Sequence, residues 1–254
     1  MKRRILLNIE YDGTNYAGWQ RQENANSVQA EIENALLKAE KTNIPVIGAS
    51  RTDSGVHASG QCAHFDTESR IPTDKYPFVL NSILPYDIRI ISSQEVPESF
   101  HARFSATSKK YIYRIDNSRQ GSALKYRYCY HFPLPLDDAL MQAAAKLIKG
   151  EHDFTAFSAT GGSHKTAVRN VYSIEMNRTG DFITIIVVGN GFLYNMVRII
   201  AGTLIWIGIK KLSNDDIILA FDTNNRRILG PTAPAKGLEL AKVFYTDEWR
   251  NIHD

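Results

Sequence analysis

The chain has 254 residues, 43% of them hydrophobic and 22% charged, which excludes wholesale disorder and leaves room for one large domain or two lobes. Two cysteines, Cys62 and Cys129, are too few for a disulfide framework and lack the partners of a zinc site. His57, His64, His101, His131, His152, His164 and His253 are likewise scattered without metal-ligand spacing, so no metal is expected and a reducing cytoplasm fits. The net charge of +3 is too small to name a partner by itself.

Lys2, Arg3 and Arg4 precede a short run, Ile5 to Tyr11, that alternates at period two and carries Asn8 and Glu10, so a strand is predicted there rather than a signal peptide. Val28, Ile32, Ala35, Leu36 and Ala39 recur at helical spacing behind Asn26 or Ser27 as N-cap. Val46 and Ile47 suit an incoming strand and Cys62, Ala63 and Phe65 an outgoing one. A short helix over Tyr76 to Ile83 and a strand over Ile88 to Ser92 follow. Residues 1–104 therefore read β-α-β-β-α-β, the order of a ferredoxin-like split unit. A second lobe, 105–254, opens with an alternating strand over Lys109 to Asp116. It continues with an Ala-rich helix over Leu136 to Lys149, strands over Val171 to Met176 and Phe182 to Val188, a helix from about Phe192, a helix over Asp215 to Phe221 and a strand over Leu238 to Phe244. Phe192 to Ile209 is long and apolar, but Asn195 and Arg198 in its first half make it a buried core helix and not a membrane span. With no linker between the halves, the expectation is an α+β fold in which two ferredoxin-like lobes share a mostly antiparallel central sheet flanked by helices.

The stretch from Gly48 to Gln61 sets one carboxylate, Asp53, among small residues, glycines and Arg51. Asp53-Ser54-Gly55 favours a turn, because Asp and Ser side chains bond nearby backbone N–H groups and Gly55 tolerates positive φ. A loop carboxylate between two strands serves either to shape the turn or to do chemistry, and the turn alone does not choose. Asp-Ser-Gly also matches the aspartic protease signature. Here, however, Ser50, Arg51 and Thr52 separate the acid from the apolar strand, no second copy exists, and Arg51 favours an ionised carboxylate over a shared proton. Gly189-Asn190-Gly191 lacks the third glycine of a dinucleotide fingerprint and reads as a turn. Gly161-Gly162-Ser163-His164-Lys165 offers either a phosphate cradle or a surface loop.

Between Arg103 and Arg127, seven basic residues (Arg103, Lys109, Lys110, Arg114, Arg119, Lys125, Arg127) stand against the single acid Asp116, with Tyr111, Tyr113 and Tyr126 interleaved. Cations beside flat faces suit a polyanion with unstacked bases, and equally a solvated strand pair with half-buried tyrosines. Arg198 lies among apolar residues in Asn195 to Ile200. It either snorkels from a core helix or is buried against a carboxylate, for which Asp53 is a sensible partner if the lobes meet.

Three ordered blocks, Arg51-Thr52-Asp53-Ser54-Gly55-Val56-His57, Lys110-Tyr111-Ile112-Tyr113-Arg114 and Gly191-Phe192-Leu193-Tyr194-Asn195-Met196-Val197-Arg198, closely resemble those of the bacterial tRNA pseudouridine synthase A (TruA) family. Glu10-Tyr11-Asp12-Gly13-Thr14, Gly18-Trp19-Gln20, Phe100-His101-Ala102-Arg103-Phe104 and Pro234-Ala235-Lys236-Gly237-Leu238 extend the resemblance over almost the whole chain. Ser54 stands where alanine is common, and Lys236 where histidine is. The resemblance implies the pseudouridine synthase fold and isomerisation of uridine, usually at positions 38, 39 and 40 of tRNA, without a cofactor. It implies Asp53 as the catalytic aspartate paired with Arg198, Tyr111 stacked on a flipped base, Arg51 aiding extrusion, and Leu238 packing on the base. Lys109, Lys110 and Arg114 of the basic segment would contact the tRNA, held by a homodimer. An RNA-binding protein that kept the fold but lost catalysis is the other reading, and the intact Asp53, Tyr111 and Arg198 favour the enzyme.

Overall fold

The computed structural model describes residues 2–161 and 166–248. The chain divides into two compact units, Met1–Thr107 with Glu239–Asp254, and Ser108–Leu238. Strands and helices both occur in each, the strands mostly antiparallel, so the fold is α+β.

The first unit is built from β1 (Arg3–Tyr11), α1 (Val28–Glu40), β2 (Ile47–Gly48), β3 (His57–Thr67), α2 (Tyr76–Asn81) and β4 (Ile88–Val96). Strand β1 lies antiparallel between β3 and β4, and β2 pairs antiparallel with the other side of β3. That order is the ferredoxin-like arrangement, with α1 and α2 as the crossovers. Ile5, Leu7 and Ile9 are fully buried at period two, while Val28, Ile32, Ala35 and Leu36 give α1 its buried stripe. The α1 N-terminus is capped by Ser27, whose hydroxyl accepts from Ala30 N at 3.4 Å, and the helix ends at Lys41 in the left-handed region.

In the second unit come β5 (Ser108–Asp116), β6 (Tyr130–His131), α3 (Asp138–Ile148), β7 (Gly150–Asp153), β8 (Val168–Thr179), β9 (Phe182–Gly189), α4 (Met196–Gly208) and α5 (Asn214–Thr223). Strands β5, β9, β8 and β7 run side by side, each pair antiparallel, and β6 adds a short parallel pairing to β5. Eleven of the thirteen residues of α4 are buried, as its apolar composition on all sides requires. The loop at 229–234 lies directly on this helix: a Cβ on Gly202 would sit 1.8 Å from the Pro231 carbonyl oxygen. Among the described residues no helix is long and apolar enough to cross a membrane.

Helix α4 starts at Met196 rather than near Phe192, because Asn195 takes a left-handed conformation at φ 61° that cannot continue into a helical turn behind it. Likewise α3 starts at Asp138, since the Asp137 carboxylate accepts from Leu140 N at 3.2 Å and so acts as the cap. A last strand, β10 (Leu238–Phe244), carries the chain back to the first unit, where Glu239 and Leu240 pair in parallel with His57 and Ala58. There Gly60 leaves the room needed, since a Cβ would stand 2.2 Å from the Ala241 carbonyl oxygen. The phosphate-cradle reading of Gly161 to Lys165 falls largely outside the described residues.

On β3, burial pushes the imidazole of His64 down to about 4 from its ordinary 6.5, and nearby Arg4 and His101 add to the shift. The Arg4 guanidinium, hydrogen-bonded to Asp66, holds that carboxyl at about 2. Stability that depends on neutral His64 is present above pH 6.5 and is lost as the pH falls toward 4; that from ionised Asp66 is lost between about 4 and 2. Urea denaturation is expected to show stability falling below pH 6.5, and His64→Gln should flatten the fall between pH 6.5 and 4. An unchanged slope in that variant would contradict the assignment.

Candidate active-site segments

In the first unit the Asp53 loop joins Ala49 to Val56 and is fixed by bonds from three directions. On the β3 side, Gln61 is fully buried; its Oε1 accepts from Ser50 N and Cys62 N at 3.2 Å each, and its Nε2 donates to Ser50 O at 2.7 Å. From the loop after β1, Trp19 N donates to Thr52 O at 3.1 Å, and Gly55 N and the Ser54 hydroxyl both donate to Tyr16 O, at 3.2 and 3.3 Å. From β1 itself, Tyr11 Oη and Thr52 Oγ1 share a hydrogen bond of 2.7 Å. Gly55 has φ 76° and Val56 N closes the turn onto Asp53 O at 3.1 Å, as the Asp-Ser-Gly composition predicts.

Two glycines make this contact possible. Gly18 combines φ 97° with a position where a Cβ would lie 2.4 Å from Thr52 O, and a Cβ on Gly13 would lie 2.0 Å from Val56 O. Gly13 N also donates to Nδ1 of buried His57 at 3.1 Å, with Asp12 beside the same ring. Thr52 is buried, Asp53 half-buried and Arg51 exposed, so the turn keeps its hydroxyl inside and its arginine in solvent.

In the second unit, Lys109, Lys110, Tyr111 and Arg114 share β5, but alternation separates them. Tyr111, Tyr113 and Ile115 lie buried on one face with Lys109 on the same side, whereas half-buried Lys110, Ile112 and Arg114 point the other way. The Tyr111 ring meets Phe192 edge to face, with centroids 5.1 Å apart at 83°, so two of the sequence blocks touch. Arg198 stands half-buried in the first turn of α4. Its Nε donates to Ala233 O at 2.8 Å and its Nη1 to Asn195 Oδ1 at 2.6 Å, while its own carbonyl accepts from Ala233 N at 3.1 Å. Fully buried Tyr113 donates from its hydroxyl to Pro234 O at 2.9 Å, and a Cβ on Gly237 would strike its ring at 2.7 Å. Burial raises the Tyr113 phenol well above its ordinary value, against the opposing pull of the Arg198 cation. The β5 strand, the first turn of α4 and the segment ending in buried Leu238 thus form one bonded group.

The basic segment folds its one acid inward. Burial works against the Asp116 charge, but bonds from Ser118 N, Ser118 Oγ and Ser122 N, at 3.0, 2.5 and 2.7 Å, together keep the carboxyl below its usual range. Beyond it Arg119, Lys125 and Arg127 are exposed beside Tyr126 and Tyr128. Gln61 and Tyr113 carry structural duties that the motif reading did not assign. A glutamine between Gly60 and the apolar run Cys62-Ala63 was the available signal for the first. Among the described residues no three His, Cys, Asp or Glu side chains cluster to hold a metal ion.

A family model described as tRNA pseudouridine synthase matches residues 8–105 and 144–246. The chain is 52% identical over 244 residues to tRNA pseudouridine synthase A of Ruminiclostridium cellulolyticum, covering 96% of this chain and 100% of that one. It is 48% identical over 243 residues to the protein of the same name from Acetivibrio thermocellus, with the same coverage, and 46% identical over 244 residues to that of Bacillus pumilus, covering 95% and 99%.

Because Gln61 satisfies two buried backbone groups of the loop and the N–H of Cys62 on β3, Gln61→Met is expected to cost about 1–3 kcal/mol of stability. Urea denaturation measures this, and an unchanged midpoint would mean the loop does not depend on that side chain.

Proposed function

This chain belongs to the tRNA pseudouridine synthase family and isomerises uridine to pseudouridine in tRNA, and we propose that Asp53 is the carboxylate on which the reaction turns. The observation that carries this reading is the loop itself: its backbone is tied to Gln61, Trp19 and Tyr16 while Asp53 stays half-buried, a fixed acid at a partly open surface.

The isomerisation breaks the bond from N1 of uracil to ribose C1′, turns the base, forms a bond from C5 to C1′, removes the C5 proton and leaves N1 carrying a proton in its place. Atoms and electrons balance without oxidant or reductant, so no cofactor enters. An anionic oxygen drives the first step either by attacking C1′ or by taking the C2′ proton, and a carboxylate is competent for both. Tyr111, with its ring fixed by Phe192, stacks on the extruded base, and its hydroxyl helps remove the C5 proton by passing its own proton on as it takes that one. Extrusion costs a few kcal/mol, and stacking worth roughly 1–3 kcal/mol per base offsets much of it. Exposed Arg51 fills the vacated space or grips the phosphate, and buried Leu238 packs against the base. Arg198 keeps Asp53 ionised and oriented, in line with the family resemblance.

The substrate positions are uridines 38, 39 and 40 of the anticodon arm, held by a cytoplasmic homodimer. Lys109, Lys110, Arg114 and the exposed cations at 119–127 attract the backbone.

Asp53→Asn keeps the size of the side chain and removes the charge. It is expected to retain tRNA binding and to cut tritium release from tRNA labelled at uridine C5 by at least about 10³-fold. Release near the parent rate would sink the assignment. Tyr111→Phe keeps the stacking face, so tRNA binding should persist while turnover drops about 10²-fold or more. An unaltered rate would remove the hydroxyl from proton transfer.

A further inference from the structure

The Phe100 to Phe104 block is a sequence motif within the described residues that the catalytic reading leaves without a task, and its structure is unusual. Phe104 is 76% exposed, yet it is not loose. Its backbone N–H and that of Arg103 both donate to Nδ1 of His101, at 3.3 and 3.2 Å, and His101 N donates to Ser105 Oγ while Ser105 N donates to His101 O. Ala102 at the centre of the turn is fully buried. Its N–H donates to His64 Nδ1 at 3.1 Å, and its carbonyl accepts from Tyr245 Oη at 2.9 Å.

The rings form a series from core to solvent. Buried His64 meets half-buried His101 with centroids 5.0 Å apart, and His101 lies against Phe104 at 4.3 Å and 32°. One face of Phe104 is therefore backed by an aromatic ring and the ring is open to solvent elsewhere, with the Arg103 guanidinium 5.7 Å from its centroid. Exposing a large apolar ring costs free energy, and a turn this heavily bonded holds it there instead of letting it fold away. A flat apolar face with a cation at its margin matches a nucleobase and its phosphate better than it matches an apolar protein surface.

We infer that this turn is a second stacking platform for tRNA, on which Phe104 takes an unstacked base and Arg103 the adjoining phosphate. It rests on the reading of tRNA as substrate. The base concerned is not the one isomerised: the turn is anchored at His64, seven residues along β3 from His57, which at strand rise is roughly 20 Å from where the Asp53 loop joins the strand.

Titration of labelled tRNA against full-length Phe104→Ala, Phe104→Leu and Phe104→Trp tests the platform. Ala and Leu are expected to weaken binding by about 5- to 150-fold, with the loss in turnover appearing in KM, the size expected for one stacked base. Trp is expected to bind as the parent does, with its fluorescence quenched by tRNA. Phe104 is exposed, so melting curves of all three should match the parent. Parent-like affinity in Phe104→Ala overturns the inference, and so does parent-like affinity in Phe104→Leu, which would mean plain apolar contact. A change of oligomeric mass in Phe104→Ala with unaltered tRNA affinity overturns it in favour of a second copy of this chain. In all three of those outcomes the parent still releases tritium, so the catalytic reading stands. A parent that neither binds tRNA nor releases tritium overturns both.

Discussion

The Thr52 carbonyl accepts from Trp19 N at 3.1 Å across a gap that exists because residue 18 has no side chain. That contact, with the Tyr16 carbonyl receiving Gly55 N and Ser54 Oγ, ties the loop after β1 to the turn that carries Asp53. Gln61 ties the same turn to β3 from the other side. In the role proposed for Asp53, at ribose C1′ or at the C2′ proton, such restraint is a gain, because orientation that is set before substrate arrives is not lost as entropy on binding. The packing of β1 against β3 and the burial of Trp19 are, in this sense, the foundation of the site.

The second unit solves a different problem, that of keeping polar groups satisfied inside an apolar helix and strand. Arg198 enters α4 in its first turn, where Asn195 and the Ala233 carbonyl receive its N–H groups, and Tyr113 delivers its hydroxyl to the next carbonyl, that of Pro234. These bonds hold the chain leading to Leu238 against α4 and β5; glycines at 202 and 230 allow the close approach to α4, and Gly237 the approach to β5. Strand alternation then divides the labour of β5. Its tyrosines face inward with Phe192, and Lys110 and Arg114 are turned to the opposite face.

The sequence was most informative where a pattern is complete within one element. The alternation of Ile5, Leu7 and Ile9, the stripe of α1 and the Asp-Ser-Gly turn all describe the structure directly, because local sterics and burial decide them. It was least informative where a distant partner decides. Strands β6 and β7, Tyr130–His131 and Gly150–Asp153, carry no apolar alternation and exist through pairing with β5 and β8. Nothing local announces that β10 will run parallel to His57 and Ala58, or that Asn195 will turn left-handed and delay α4. In the site the same division holds. Asp53, Tyr111 and Arg198 stand out as residue types in a pattern, but Gln61, Gly18 and Tyr113, which hold their surroundings in place, show their function only once the backbone atoms they touch are known.

Mapping pseudouridine in unmodified tRNA transcripts incubated with the purified protein tests reaction, substrate and positions together. New pseudouridine is expected at positions 38, 39 and 40 of the anticodon arm, and none elsewhere. Transcripts left unmodified at those positions, or modified only in another arm of the tRNA, would contradict it.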